Sequence, residues 1–197
     1  METIAARHRS HPLVKDPRIC RIVPLWLSVL DELGAAPLFV IPIRNPFEVA
    51  AALKQRNSFP ETTSLLLWLR HFLAAERDTR GFRRSFVAYD HLLSDWGKVV
   101  DGIARDLHIH WPRRSVAFDL EIDSFLSTRW RHHSYSNGSM FSRRPMAQWL
   151  QTAFDWAMSA ANNHPSASAE LDTVYAAFSS PSAPLCKSVR HPEMVGV

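Results

Sequence analysis

Residues 38–49, Leu38-Phe39-Val40-Ile41-Pro42-Ile43-Arg44-Asn45-Pro46-Phe47-Glu48-Val49, constrain the fold more than any other stretch of this chain. Five apolar residues with one proline among them are too short a run for a helix and read as a buried strand. The run passes through Arg44 directly into a helix start. Asn45 suits the cap, Pro46 the first helical position, and Glu48 stands three after the cap, where a capping-box acid belongs. A strand that delivers an arginine to a helix N-terminus makes an anion site, because backbone N–H groups, the positive helix end and a guanidinium face one point. Phosphate suits such a site, since arginine grips it with a planar fork. An arginine leaving a strand is equally compatible with a solvated position or a pairing with a surface acid.

The elements around this stretch follow from periodicity. Pro12 to Lys15 reads as a very short strand, and Asp16 as the cap of a helix beginning at Pro17. Ile19, Ile22, Val23, Trp26, Val29, Leu30 and Leu33 then recur at three and four, with Pro24 as a kink or break and Gly34 as the stop. A helix is expected from Pro46 to Arg56, with Val49, Ala50, Ala52 and Leu53 inward and Asn57 in a left-handed turn, and another from Glu61 to Arg77. Ser85 to Tyr89 is the next strand, with a helix beginning near Asp90. Strand, helices, strand is the signature of a parallel sheet, and ligands bind at the carboxyl ends of its strands, where Lys15, Arg44 and Tyr89 would all fall. Pro42 shortens the first main strand, because proline seldom sits in a central one.

Trp96, Val99, Val100, Ile103 and Leu107 mark one more amphipathic helix. From His108 to Asn137 the pattern fades into loop, with a short helix near Ser124. Pro145 opens a helix to Ala161, and a last short one runs from Ala169 to Phe178. The expected class is α/β: a small parallel sheet flanked by helices, with a helical C-terminal part. The 197 residues, 46% of them apolar, fit one domain over residues 13–178, between disordered ends at 1–12 and 179–197.

Several chemistries find no support. Cys20 and Cys186 stand far apart and make no disulfide framework. No apolar run approaches the length of a membrane span, and residues 1–9 lack the apolar segment of a signal peptide, so a cytoplasmic protein with no membrane partner is expected. His108 with His110, and the adjacent His132 and His133, have no acid or cysteine at ligand spacing, so no metal is expected. Gly-x-Ser-x-Gly, Gly-x-x-x-x-Gly-Lys and Gly-x-Gly-x-x-Gly are all absent. The net charge of +4 suits an anionic ligand without requiring one. Basic clusters at Arg7 to Arg9, Arg80 to Arg84 and Arg129 to Arg131, with Trp111 and Trp130 nearby, give a weak nucleic-acid signal.

Arg44-Asn45-Pro46, followed by an acid and an Ala/Val-rich helix, resembles the 3′-phosphate-binding segment of sulfotransferases that use 3′-phosphoadenosine 5′-phosphosulfate (PAPS). Three further stretches resemble that family in the right order: Lys15-Asp16-Pro17-Arg18-Ile19-Cys20-Arg21, Leu65-Leu66-Leu67-Trp68-Leu69-Arg70-His71 and Val87-Ala88-Tyr89-Asp90-His91-Leu92-Leu93. Together, from Leu13 to Ser134, they resemble a bacterial subgroup of the family.

The resemblance implies a P-loop-like fold and transfer of a sulfuryl group from PAPS to a hydroxyl or amine acceptor. Arg44 would hold the 3′-phosphate, Tyr89 would lie near the nucleotide, and Arg131, with His132 and His133, would close over it. Lys15 would stabilise charge on the transferred group and Asp16 would accept the acceptor's proton, although Asp16 already has work as a helix cap.

Two departures qualify the resemblance. The family's serine eight residues after the arginine is Ala52 here, which removes a phosphate donor worth about 1–3 kcal/mol. The family's phosphosulfate loop, which joins a strand to a helix, has no counterpart. His8-Arg9-Ser10 resembles it only superficially, because His11-Pro12 follows and no strand precedes. The expectation is therefore an N-terminally truncated sulfotransferase-like chain with impaired transfer. The alternatives are a non-catalytic nucleotide-phosphate-binding or interaction module and a weak nucleic-acid binder.

Overall fold

The computed structural model describes residues 13–111, 115–126, 145–164 and 167–180. Among them, two strands, β1 (Phe39–Ile43) and β2 (Arg84–Ala88), pair in parallel, with Phe39 opposite Arg84 and Ile43 opposite Ala88. Two helices connect them, α2 (Pro46–Asn57) and α3 (Glu61–Asp78). Ahead of β1 lies α1 (Val23–Glu32). After β2 come α4 (Tyr89–Ser94), α5 (Trp96–Leu107), α6 (Val116–Phe125), α7 (Pro145–Ala161) and α8 (Ala169–Ser179). The described residues are thus mostly helical around a small parallel sheet, in keeping with an α/β class.

Burial along β1 alternates instead of filling both faces. Ile41 and Ile43 are buried, while Val40 is 46% exposed and Pro42 faces solvent. The inner face packs on α3 and α7. There Ile41, Ile43, Leu65, Leu69, Phe72, Leu150, Ala153, Trp156 and Ala157 form one cluster, joined by Leu171 and Val174 of α8. The Phe86 ring meets Trp156 edge-on at 5.4 Å. Leu69 is wholly buried, and burial of such a leucine contributes about 1.5–3 kcal/mol. On the other face of the sheet α5 covers β2, where the Ser85 hydroxyl donates to Asp106 at 2.7 Å.

Pro42 fits its strand for a directional reason. The Phe39 N–H donates to the Arg83 carbonyl at 3.1 Å, so alternate residues of β1 address β2, while Val40 and Pro42 turn their backbone groups to the other edge, which no strand among the described residues pairs. A missing N–H there costs no ladder bond.

Three helical expectations shift. Residues 13–16 form no strand, and Asp16 opens a turn followed by a short 3-10 helix at Ile19–Arg21; α1 starts only at Val23, with Pro24 in its first turn. Of the apolar residues expected to face inward there, Val23 is buried, whereas Ile22, Trp26, Val29 and Leu33 are exposed. The short helix expected near Ser124 is present and longer, α6, capped by the Ser115 hydroxyl on the Phe118 N–H. The left-handed residue after α2 is Ser58, one position beyond Asn57. The ends at 1–12 and 181–197 lie outside the described residues.

A buried ionic cluster ties α3, β2 and α8 together. The Glu76 carboxylate, 1% exposed, receives Arg80 at 2.7 Å, Arg84 at 3.2 Å and the Ser168 hydroxyl at 3.4 Å. Arg80 continues to Asp172 of α8 at 2.8 Å, and Arg84 also donates to the Glu76 carbonyl at 2.6 Å. An acid this deep requires such neutralisation, because an unpaired buried charge costs several kcal/mol.

Candidate functional site

The carboxyl end of the sheet gathers the residues of interest. Arg44 follows the last residue of β1 and Tyr89 the last residue of β2, and the final register pair, Ile43 with Ala88, sets them side by side. The Arg44 guanidinium carbon lies 4.8 Å from the Tyr89 ring centroid, a cation–π contact. The Arg44 carbonyl accepts from the Trp68 indole N–H at 3.0 Å, which fastens the strand exit to α3.

The helix start reads as the sequence predicts. The Asn45 side-chain oxygen accepts from the Phe47 N–H at 2.9 Å, Pro46 occupies the first turn, and the Val49 N–H donates to the Asn45 carbonyl at 3.1 Å. Glu48 does more than a first-turn acid on a surface. Its carboxylate is 1% exposed and takes the Arg44 Nε–H at 3.0 Å. The Arg44 side chain is 28% exposed, and no hydrogen bond among the described residues engages its terminal nitrogens Nη1 and Nη2. The site is therefore an arginine held on one side by a buried acid and set over a tyrosine ring, with no partner for its two-donor edge among the described residues.

Lys15 and Asp16 do not join this group. Lys15 is exposed, and no hydrogen bond, ion pair or ring contact among the described residues links either residue to Arg44 or Tyr89. Their turn is instead near the C-terminal end of α3, since the Asp78 carboxylate adds to the burial that pushes the Cys20 thiol up. Asp16 accepts from Arg18 three times: from the backbone N–H at 2.7 Å, from Nε at 3.0 Å and from an Nη at 2.9 Å. These bonds lower its pKa to about 2, which makes it a weak proton acceptor. Arg131, together with His132 and His133, lies outside the described residues.

In the basic run at 80–84, Arg80 and Arg84 pair with the buried Glu76, while Arg83, an exposed residue, donates to the Leu107 carbonyl at the end of α5, at 2.9 Å. Among the described residues no group of three or more His, Cys, Asp or Glu side chains is placed to hold a metal ion, and no helix is long and apolar enough to cross a membrane. His108 serves as the left-handed cap that ends α5.

Sequence reasoning missed the depth of Glu48 and Glu76. Arg44 with Glu48 and Glu76 with Arg80 are both i, i+4 pairs, a spacing that signals ion pairing without revealing burial. Compared with protein-family models, with curated proteins and with solved structures, the chain has no match.

Proposed function

We propose that the carboxyl end of the sheet binds a nucleotide through a phosphate gripped by Arg44. The observation that carries this reading is the 4.8 Å contact between Arg44 and Tyr89, reached from two different strands, with no described residue bonded to the two terminal guanidinium nitrogens. Phosphate oxygens match that edge in spacing and charge. In its fuller form the reading is a sulfotransferase-like protein of P-loop-like fold. There the phosphate is the 3′-phosphate of PAPS, Lys15 steadies the transferred group, Asp16 takes the acceptor's proton and Arg131 closes over the nucleotide.

Binding without transfer is the form the geometry favours. Asp16 is tied to Arg18 and depressed to about 2, and it makes no contact with the Arg44 group among the described residues. A thermal-shift titration with adenosine 3′,5′-bisphosphate tests the reading, on the wild-type chain and on Arg44→Lys, which keeps the charge and loses the fork. Ligand at a hundred times its dissociation constant stabilises the wild type by about 2.7 kcal/mol, and the shift collapses in Arg44→Lys. Equal shifts in both proteins overturn the reading.

A further inference from the structure

We infer that α1 is a self-docking face, through which two copies of this chain pair antiparallel about a two-fold axis.

Eight of the twelve residues from Ile22 to Leu33 are apolar, more than one buried side of a helix needs. They fall on two faces. Val23, buried, with the half-buried Leu27 and Leu30, makes the covered face of a helix that contacts α3. Ile22, Trp26, Val29 and Leu33 make the second face, about 100° round the helix from the first, with Leu25 at its edge. All five are between 36% and 72% exposed. The Trp26 N–H donates to the Ile22 carbonyl and the Leu33 N–H to the Val29 carbonyl, both at 3.1 Å, so the ends of the stripe keep helical register.

The symmetry of the stripe identifies its occupant. Spacings of four, three and four are those of a seam between helices, and they read the same from either end. In an antiparallel pair centred between Leu27 and Ser28, Ile22 meets Leu33 of the second copy and Trp26 meets its Val29. Each apolar side chain then finds an apolar partner, as a self-complementary two-fold contact requires.

Charge selects the same direction. Arg21 stands just ahead of α1, and Asp31 and Glu32 lie in its last turn. All three are exposed, and their side chains make no ion pair or hydrogen bond among the described residues. Two acids at the C-terminal end of a helix work against its dipole. Antiparallel pairing brings Arg21 beside Glu32 of the second copy at both ends of the contact. Parallel pairing would set arginine on arginine and acid on acid. A single ten-residue helix offers less than the roughly 800 Å² per partner of a standard interface, so a dimer that exchanges with monomer is expected.

Sedimentation velocity on the full chain, from about 1 to about 200 μM, reads the association, and the wild type is expected to pass from monomer to dimer across that range. Trp26→Ala and Val29→Asp, both at exposed positions, are expected to raise the dissociation constant at least about tenfold. Leu33→Asp is the further variant should either fail to fold, with folding judged by circular dichroism. Arg21→Glu and Glu32→Arg should each weaken the dimer about threefold or more, and Arg21→Glu/Glu32→Arg should regain the wild-type affinity because the pairs return with their signs exchanged. A wild type that stays monomeric throughout overturns the inference and leaves the stripe to a different protein. A dimer that the apolar variants do not weaken overturns it as well, since the contact then lies elsewhere. A double variant no tighter than the single ones overturns the antiparallel arrangement.

Discussion

Arg44 and Tyr89 each stand one residue beyond a strand, and the parallel register that sets Ile43 opposite Ala88 brings guanidinium and ring to 4.8 Å. The contact needs no special loop. It follows from two strands ending level, so anything that shifts the register by one residue also separates the pair.

Tyr89→Leu removes the surface on which Arg44 rests and is expected to cost about 0.5–1 kcal/mol, read as a lower urea midpoint. Tyr89→Phe keeps the ring and stays near the wild type. Equal losses in the two variants would assign the effect to the hydroxyl and not to the stack.

Asn45→Ala removes the acceptor for the Phe47 N–H and is expected to destabilise the protein by about 1 kcal/mol. Asn45→Ser restores most of it. Hydrogen exchange at the Phe47 amide reads the loss directly, and unchanged protection in Asn45→Ala contradicts the capping role.

Glu76→Ala leaves Arg80 and Arg84 without the acid they share, inside a junction of α3, β2 and α8. Both arginines retain some contact with solvent, which places the loss at the low end for a broken buried pair, about 3 kcal/mol by urea denaturation. A loss below about 1 kcal/mol would mean that the cluster is dispensable.

The Asp16 carboxyl has a folded pKa of about 2 against an ordinary 3.8, held down chiefly by the Arg18 side chain and then by its backbone N–H. Because the folded value lies below the unfolded one, the contact favours the native turn above the ordinary carboxylate range and fades as pH falls through about 2. Carbon-detected NMR titration of the Asp16 side chain should show that midpoint. Arg18→Ala should move it up toward 3.8, and a native midpoint already there contradicts the assignment.

Much of the fold was legible because its signals are local. The period of Trp96, Val99, Val100, Ile103 and Leu107 marks α5, and Pro145 marks the first residue of α7. Arg44 and Tyr89 were placed together by one inference, that two strands joined by helices run parallel. What was not legible depends on what lies opposite. Periodicity shows that Trp26 and Val29 share a face of α1 but not whether another element covers it, and here both are exposed. In α6, Val116, Phe118 and Leu120 alternate along the chain and are exposed, so no inward stripe marks where the helix expected near Ser124 begins. The capping-box position of Glu48 does not reveal its depth, and the burial of Glu76 is set by partners such as Arg84 and Ser168 that arrive from elsewhere in the chain.

Pro42 has a bearing on how molecules meet one another. Strands left without a neighbour invite side-by-side joining of separate copies into fibrils, since unmet donors and acceptors recruit the next chain. On β1 that row is interrupted by a pyrrolidine ring at the second of the two outward positions. An incoming strand finds a donor at Val40 and none at Pro42, so side-by-side pairing on this edge of β1 lacks one of its bonds.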